Sequence, residues 1–307
     1  MKIILDTDIG DDIDDAFALQ FLISRKEIEL LGVTTVYKNV EQRAKITKNL
    51  LKLANRENIP VHSGINKPLR KDIRILPNEK VEENGLINID HYTTDIEKVA
   101  YDGKYAVEFI LNTIKKYPNE VIVVAIGPLT NIAQAIKTDK ETFSLAKEIL
   151  LMGGRFNDKK SEWNIEIDPE AARIVYESGV KVTSISFDAT IQTSMTKEDV
   201  AKVNALTNPS DRYLAKMMNR WIAHDEMNWV GEKLPLLHDV LAVATLVDES
   251  VCKYEEIYFS IPLEGENKEC TLRNTEKQGY FSKVGNDINK DKFFGLFRET
   301  IFNAKRG

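Results

Sequence analysis

Six aspartates fall within ten residues near the start of the chain: Asp6, Asp8, Asp11, Asp12, Asp14 and Asp15, inside KIILDTDIGDDIDDAFALQFLIS at 2–24. Carboxylates packed this densely repel one another. Two unit charges about 4 Å apart cost roughly 4 kcal/mol at an effective dielectric near 20. A helix N-terminus beside them returns only about 0.3–1 kcal/mol per charge. Some of the six must therefore face water or hold a cation, and an oxygen-only ligand set selects a hard ion, Ca²⁺ or Mg²⁺, over zinc. The plain alternative is a solvated acidic turn that caps a helix. Attachment to an apolar strand argues against it, because strand-end loops carry function.

The elements around the aspartates are legible. Ile3, Ile4 and Leu5 form a short apolar run that reads as a buried strand, and Ala16, Phe17, Leu19, Phe21 and Leu22 read as the buried face of a helix. The acidic loop thus joins a strand's C-terminal end to a helix N-terminus, which is where open α/β sheets bind ligands. Four later stretches also fall at strand ends. They are Asn39, after the strand at 29–36; Ile126-Gly127-Pro128, where a main-chain carbonyl can face the site; the loop from Asn157 to Asn164, containing Glu162; and His238-Asp239, which opens a helix. Singly, Asn39 and Asp239 read as helix caps, Glu162 and Asn164 as surface loop, and His238 as a satisfied, partly buried histidine. Together they offer what a sugar site needs: carboxylates and amides for hydroxyls, and oxygens for a cation.

Strand-like apolar runs alternate with helical periodicity along most of the 307 residues. Strands are expected at 29–36, 121–126, 149–152 and 180–187, with a short strand or turn at 59–61. Helices are expected at 40–55, 105–117, 169–178, 196–206, 211–230 and 238–248, with another after Thr130 as its N-cap. Residues 63–102 are irregular, and the tail from Glu256 reads as β-rich before a last helix at 292–303. No repeat or linker divides the chain. The pattern predicts one α/β domain over 1–307: an open, mostly parallel, Rossmann-like sheet flanked by helices. Hydrophobic residues make up 43% of the chain, enough for a large core, and the net charge of −6 argues against a nucleic-acid or anionic-membrane partner. There is no 18-residue apolar run and no signal-peptide pattern, and Cys252 and Cys270 are too few for a disulfide framework, so a cytoplasmic protein is expected.

Six stretches resemble the nucleoside hydrolases of the inosine–uridine-preferring type: LDTDIGDDIDDAFAL at 5–19, GVTTVYKN at 32–39, AIGPLTNIA at 125–133, LMGG at 151–154, EWNIEIDPEAARIV at 162–175 and PLLHDVLAVA at 235–244. They occur in the family's order and span about residues 2–250. The resemblance implies a Ca²⁺-dependent enzyme, with Mg²⁺ second, that releases base and ribose from ribonucleosides and assembles as a dimer or tetramer. It implies Asp8 as metal ligand and general base, with Asp15, Asp239 and the Ile126 carbonyl as further ligands. Asp14, Asn39 and Asn164 would bind ribose hydroxyls, and Glu162, joined by Asn157, the 5′ end. His238 would donate a proton to the leaving base, in a pocket that His224, Trp221 and Trp229 are candidates to line.

The sequence departs from the family pattern twice. The common loop is Asp-x-Asp-Pro-Gly-x-Asp-Asp. Here Ile9 stands for proline and Asp11-Asp12 lengthen the loop, which makes Asp12 an alternative ligand. The family's His-Gly has only Asn84-Gly85 as a counterpart. A hydrolase of this fold whose substrate is not a nucleoside is one rival reading, and two rivals of other classes remain. One is a haloacid-dehalogenase-type phosphatase with Asp6 as nucleophile, which leaves Asp14-Asp15 and His238-Asp239 without a role. The other is a non-catalytic calcium-binding protein, but an EF-hand loop starting at Asp6 would carry Asp11 and Phe17 where it needs Gly and Glu.

Overall fold

The computed structural model describes residues 1–69, 81, 85–223 and 233–303. The elements follow one another as β1 (Lys2–Thr7), α1 (Asp14–Ser24), β2 (Glu29–Thr35), α2 (Val40–Leu53), β3 (Val61–Ser63), α3 (Ala106–Lys116), β4 (Val121–Ala125), α4 (Thr130–Thr138), α5 (Lys140–Phe143), β5 (Glu148–Met152), α6 (Trp163–Ile167), α7 (Pro169–Tyr176), β6 (Val182–Ile185), α8 (Phe187–Thr190), α9 (Lys197–Ala205), α10 (Pro209–Ala223), α11 (His238–Ala244), β7 (Cys252–Ser260), β8 (Leu272–Arg273), β9 (Tyr280–Ile288) and α12 (Lys290–Phe302). The sheet order is β3-β2-β1-β4-β5-β6-β9-β7-β8. β3 through β9 in that order pair in parallel, and β7 pairs antiparallel with β9 and β8. This is a single α/β domain with a mostly parallel sheet.

Alternation along the strands builds two cores. Ile3, Leu5, Ile122 and Val124 face one side, against α1, α10, α11 and α12. Ile4, Val121, Val123 and Ala125 face the other, against α3, α4 and α7. Burial on both faces is why β4 is continuously apolar rather than alternating. The chain runs outward from β1 to β2 and β3, then returns to β4 on β1's other side. That reversal opens a crevice between the C-terminal ends of β1 and β4, the switch point at which such sheets bind ligands.

Several element bounds differ from the sequence reading for local reasons. α2 ends at Leu53, because Asn55 takes a left-handed φ of +55° just beyond the helix. Leu129, not Thr130, is the N-cap of α4; the Thr130 hydroxyl instead donates to Asp168 at 2.6 Å. Helices α5, α6 and α8 are too short to show a helical period. Of the helix expected at 211–230, the described part ends at Ala223. Among the described residues, no helix is long and apolar enough to cross a membrane.

Candidate active site

The acidic loop is the first wall of the crevice. Asp14 and Asp15 begin α1, and Asp239 lies in the first turn of α11, which packs against α1. Oxygens from Asp14, Asp15 and Asp239 lie within 4.8 Å of one another, and all three residues are buried. Main-chain and hydroxyl donors fix the arrangement: the Asp239 amide donates to Asp14 Oδ2 at 3.1 Å, and the Thr7 hydroxyl donates to Asp15 Oδ1. Burial raises all three carboxyls well above the ordinary range, and neighbouring carboxylates add to it, Asp12 most for Asp14, Asp8 most for Asp15 and Asp14 most for Asp239. A buried, oxygen-only trio whose anionic form is this costly fits a hard divalent cation.

Asp8 stands beside this trio, half-buried, against the loop that follows β4. A Cβ on Gly127 would lie 2.7 Å from Asp8 Oδ1, so only glycine lets the two loops approach this closely. Loss of hydration raises the Asp8 carboxyl to about 6; Arg43 opposes the shift and Asp11 adds to it. Asp12 is exposed and turned back on its own loop, accepting from the Ile13 amide at 2.6 Å. Asp6 lies beneath, fully buried, and accepts from Asn131 Nδ2 at 2.7 Å and from the Thr34 hydroxyl. Burial lifts it to about 7. Enclosed between β2 and α4, Asp6 has no room to act as a phosphatase nucleophile.

The other strand ends converge on the same crevice. Asn39 caps α2, its Oδ1 accepting from the Gln42 amide at 3.2 Å. Asn164 Nδ2 donates to the carbonyls of Ile126 at 3.0 Å and Met152 at 3.1 Å, which ties the β4 and β5 ends together. Glu162 caps α6 and accepts from the amides of Gly154, Asn164 and Ile165; burial raises it to about 7 despite these donors. His238 and Asp239 point apart. The His238 ring stacks on Phe187 with centroids 5.7 Å apart, and its Nδ1 lies 2.7 Å from Thr190 Oγ1. Burial pushes His238 down to about 4, so it is neutral at neutral pH.

Two of the sequence candidates are engaged by partners outside the aspartate cluster. Asn157 is exposed, and its Oδ1 accepts from Arg273 at 3.1 Å and Asn286 at 3.0 Å, which ties it to β8 and β9. Trp221 packs on the core at the end of α10 with the Lys233 ammonium 4.3 Å above its ring. His224 and Trp229 lie outside the described residues, as does Asn84. The structure adds residues that the sequence reading passed over: Thr7 and Asn131, which brace the aspartates, and the buried cations Lys38 and Arg43, which meet Asp11. A signal for the last pair was present, since Arg43 interrupts the apolar face of α2 beside Ala44 and Ile46.

The sequence signature of the family described as inosine-uridine preferring nucleoside hydrolase matches residues 3–295. The chain belongs to this family. It is 31% identical to the inosine-uridine preferring nucleoside hydrolase of Crithidia fasciculata, over 98% of this chain and 97% of that one. It is also 31% identical to the pyrimidine-specific ribonucleoside hydrolase RihA of Shewanella sp. strain MR-7, over 97% and 92%. Among solved structures, the purine-preferring ribonucleoside hydrolase from Gardnerella vaginalis superposes with a TM-score of 0.83 at 28% identity, covering 100% of this chain and 99% of that one. The protein is thus a nucleoside hydrolase. The family depends on a metal, and the Asp14–Asp15–Asp239 trio is a site able to hold one.

Proposed function

We propose that this nucleoside hydrolase transfers the ribosyl group of a ribonucleoside to water, releasing free base and ribose, and that its cation is Ca²⁺. The observation that carries the reading is the buried trio of Asp14, Asp15 and Asp239 at the sheet's switch point. Asp8, Asp15, Asp239 and the Ile126 carbonyl would hold the ion, an oxygen set suited to calcium. When bound, the cation supplies positive charge that lowers the pKa of a neighbouring water.

The chain's own groups do the rest. Asp8 takes a proton from the attacking water; its carboxyl, at about 6 even without a cation, is ionised at neutral pH. The side-chain amide of Asn39 donates to a ribose hydroxyl while its oxygen remains on the helix cap. Asp14 accepts from a second hydroxyl. Asn164 spends its Nδ2 on two carbonyls and keeps Oδ1 as an acceptor. Glu162 sits at the 5′ end, with Asn157 the outer member of that group. N-glycosidic cleavage passes through an oxocarbenium-like state, as in other glycoside hydrolysis. Hydroxyl contacts that tighten as the ring flattens therefore favour the transition state over the bound substrate. His238, neutral at pH 7, serves the leaving base from Nε2–H when Nδ1 accepts from the Thr190 hydroxyl. Trp221, Trp229 and His224 are the proposed walls of the base pocket.

Relatives named for pyrimidine and for purine preference match this chain at 31% and 28% identity, so similarity does not rank the bases. A panel of purine and pyrimidine ribonucleosides, assayed with and without chelator, tests the reading. Free base and ribose should form without phosphate, and a chelator should stop the reaction until calcium is restored. Ribose 1-phosphate formed only in the presence of phosphate would overturn it. We further infer a dimer or tetramer acting in the cytoplasm, from the resemblance to the family; sedimentation at micromolar protein checks the assembly and cell fractionation the location.

A further inference from the structure

We propose that Arg43 is a positioning residue for hydrolysis: its buried guanidinium locks the acidic loop and the Asn39 loop together, with Asp11 as its counter-ion. The proposal rests on the roles given above to Asp8 and Asn39. Arg43 is fully buried, and its donors reach both loops. Nε donates to the Tyr37 carbonyl at 2.8 Å, on the strand-end loop that delivers Asn39. Nη1 donates to the carbonyls of Asp8 and, at 3.0 Å, Ile9. Nη2 meets Asp11 Oδ2 at 2.8 Å, where Lys38 Nζ also arrives at 2.8 Å. One planar group thus touches the main chain of the proposed base and that of the residue two before the proposed ribose ligand.

Local geometry shows why such a clamp is required. Tyr37 and Lys38 both hold left-handed backbone, with φ of +67° and +58°, an uncommon state for residues with side chains. Their amides are tied to the carbonyls of Ile65 and Asn66, and Arg43 holds the intervening Tyr37 carbonyl. Arg43 is also placed by the helix it serves. Asn39 is the N-cap of α2 and Arg43 lies four residues on, so the guanidinium returns to the helix start on the same face. The lengthened acidic loop supplies the counter-ion. Asp11 pairs with two buried cations, which hold it at about 2 against the cost of its burial. Asp11 is therefore committed to the clamp and is not a member of the cation site.

Arginine's fork is not replaceable by a lysine here, since a single ammonium cannot reach carbonyls on both loops and the Asp11 carboxylate together. Arg43→Lys keeps the charge and removes the span, which separates positioning from neutralisation. Slight misplacement of catalytic groups costs about 100-fold or less in rate. The experiment compares full-length wild type, Arg43→Lys and Asp11→Asn by steady-state kinetics on inosine and uridine, by the rise in Tm with calcium, and by hydrogen exchange over residues 8–15 and 36–42. Arg43→Lys is expected to lower kcat by about 10–100-fold, with a smaller change in KM, a calcium response close to wild type and faster exchange in both loops. Asp11→Asn should move the same readouts in the same direction by less; if Arg43→Lys does not fold, Asp11→Asn alone decides. Wild-type kcat and exchange in both variants would overturn the proposal. So would a parallel collapse of kcat, Tm and calcium response, which marks a general structural role. Exchange is read without substrate, so a wild-type protein inactive on every nucleoside would defeat the functional reading and leave the clamp still decidable.

Discussion

Asp239→Asn should make the cation-free protein more stable while destroying its response to calcium. Oxygens of Asp14, Asp15 and Asp239 lie within 4.8 Å of one another. Two charges at that distance repel by about 3.5 kcal/mol at an effective dielectric near 20. The folded chain relieves part of this by holding protons, as the upward shift of all three carboxyls indicates. Asparagine keeps the shape and the Asp239 amide bond to Asp14, and forfeits about 0.3–1 kcal/mol of favourable charge at the α11 N-terminus. A net gain of about 1–3 kcal/mol follows, or about 2–6 °C at roughly 2 °C per kcal/mol for a chain of this size. In wild type, calcium at about 1,000 times its Kd adds about 4.1 kcal/mol, or about 8 °C by the same conversion. Thermal unfolding of both proteins in chelator and in millimolar calcium reads all four values. A variant less stable than wild type in chelator, with an undiminished calcium shift, would refute the assignment of Asp239 and the electrostatic account of the trio.

Other outcomes follow from the same geometry. In chelator, wild type should lose stability as pH rises: the trio's folded pKa values lie above the usual 3.8, so the penalty is absent below about pH 4 and grows as the unfolded chain releases protons that the folded one keeps. Calcium should flatten or reverse that slope, and an unchanged slope would count against the cation site. Asp12→Asn should alter kcat little, because Asp12 is exposed and bonded within its own loop; Asp14→Asn should abolish most activity, and equal losses from both would show that the lengthened loop does enter the site. His238→Ala should slow purine nucleosides by about 10²–10³-fold, as for the loss of one positioned hydrogen-bond donor, and largely spare p-nitrophenyl riboside, whose leaving group needs no such donor; equal losses on both substrates would make His238 structural. Asn131→Ala removes hydrogen bonds to Asp6, the Thr35 carbonyl and the Ile65 amide. It should cost about 2–4 kcal/mol in denaturant unfolding, at about 1 kcal/mol per bond plus the penalty for groups left unpaired; a loss well under 1 kcal/mol would contradict its bracing role.

The sequence by itself determined the alternation of apolar strands and amphipathic helices, hence a parallel α/β sheet, because burial on both faces writes continuous apolar runs such as Val121–Ala125. It also placed the aspartates at the end of β1, and six motifs in order carried the family. What it left open was which carboxylates meet. Asp14 and Asp239 are 225 residues apart in the chain, and only the packing of α11 on α1 brings their oxygens together. The return of the chain to β4 beside β1 likewise sets Gly127 against Asp8, a contact no local pattern encodes. Asp11 and Asp12 look alike in sequence, yet one is gripped by Lys38 and Arg43 and the other faces solvent, since which side a loop residue takes depends on neighbours supplied by α2 and the loop before it. Local propensity and period specify elements; the partners of a buried charge are a property of the assembled fold, because burial forces each such group to find its counterpart wherever the chain brings one.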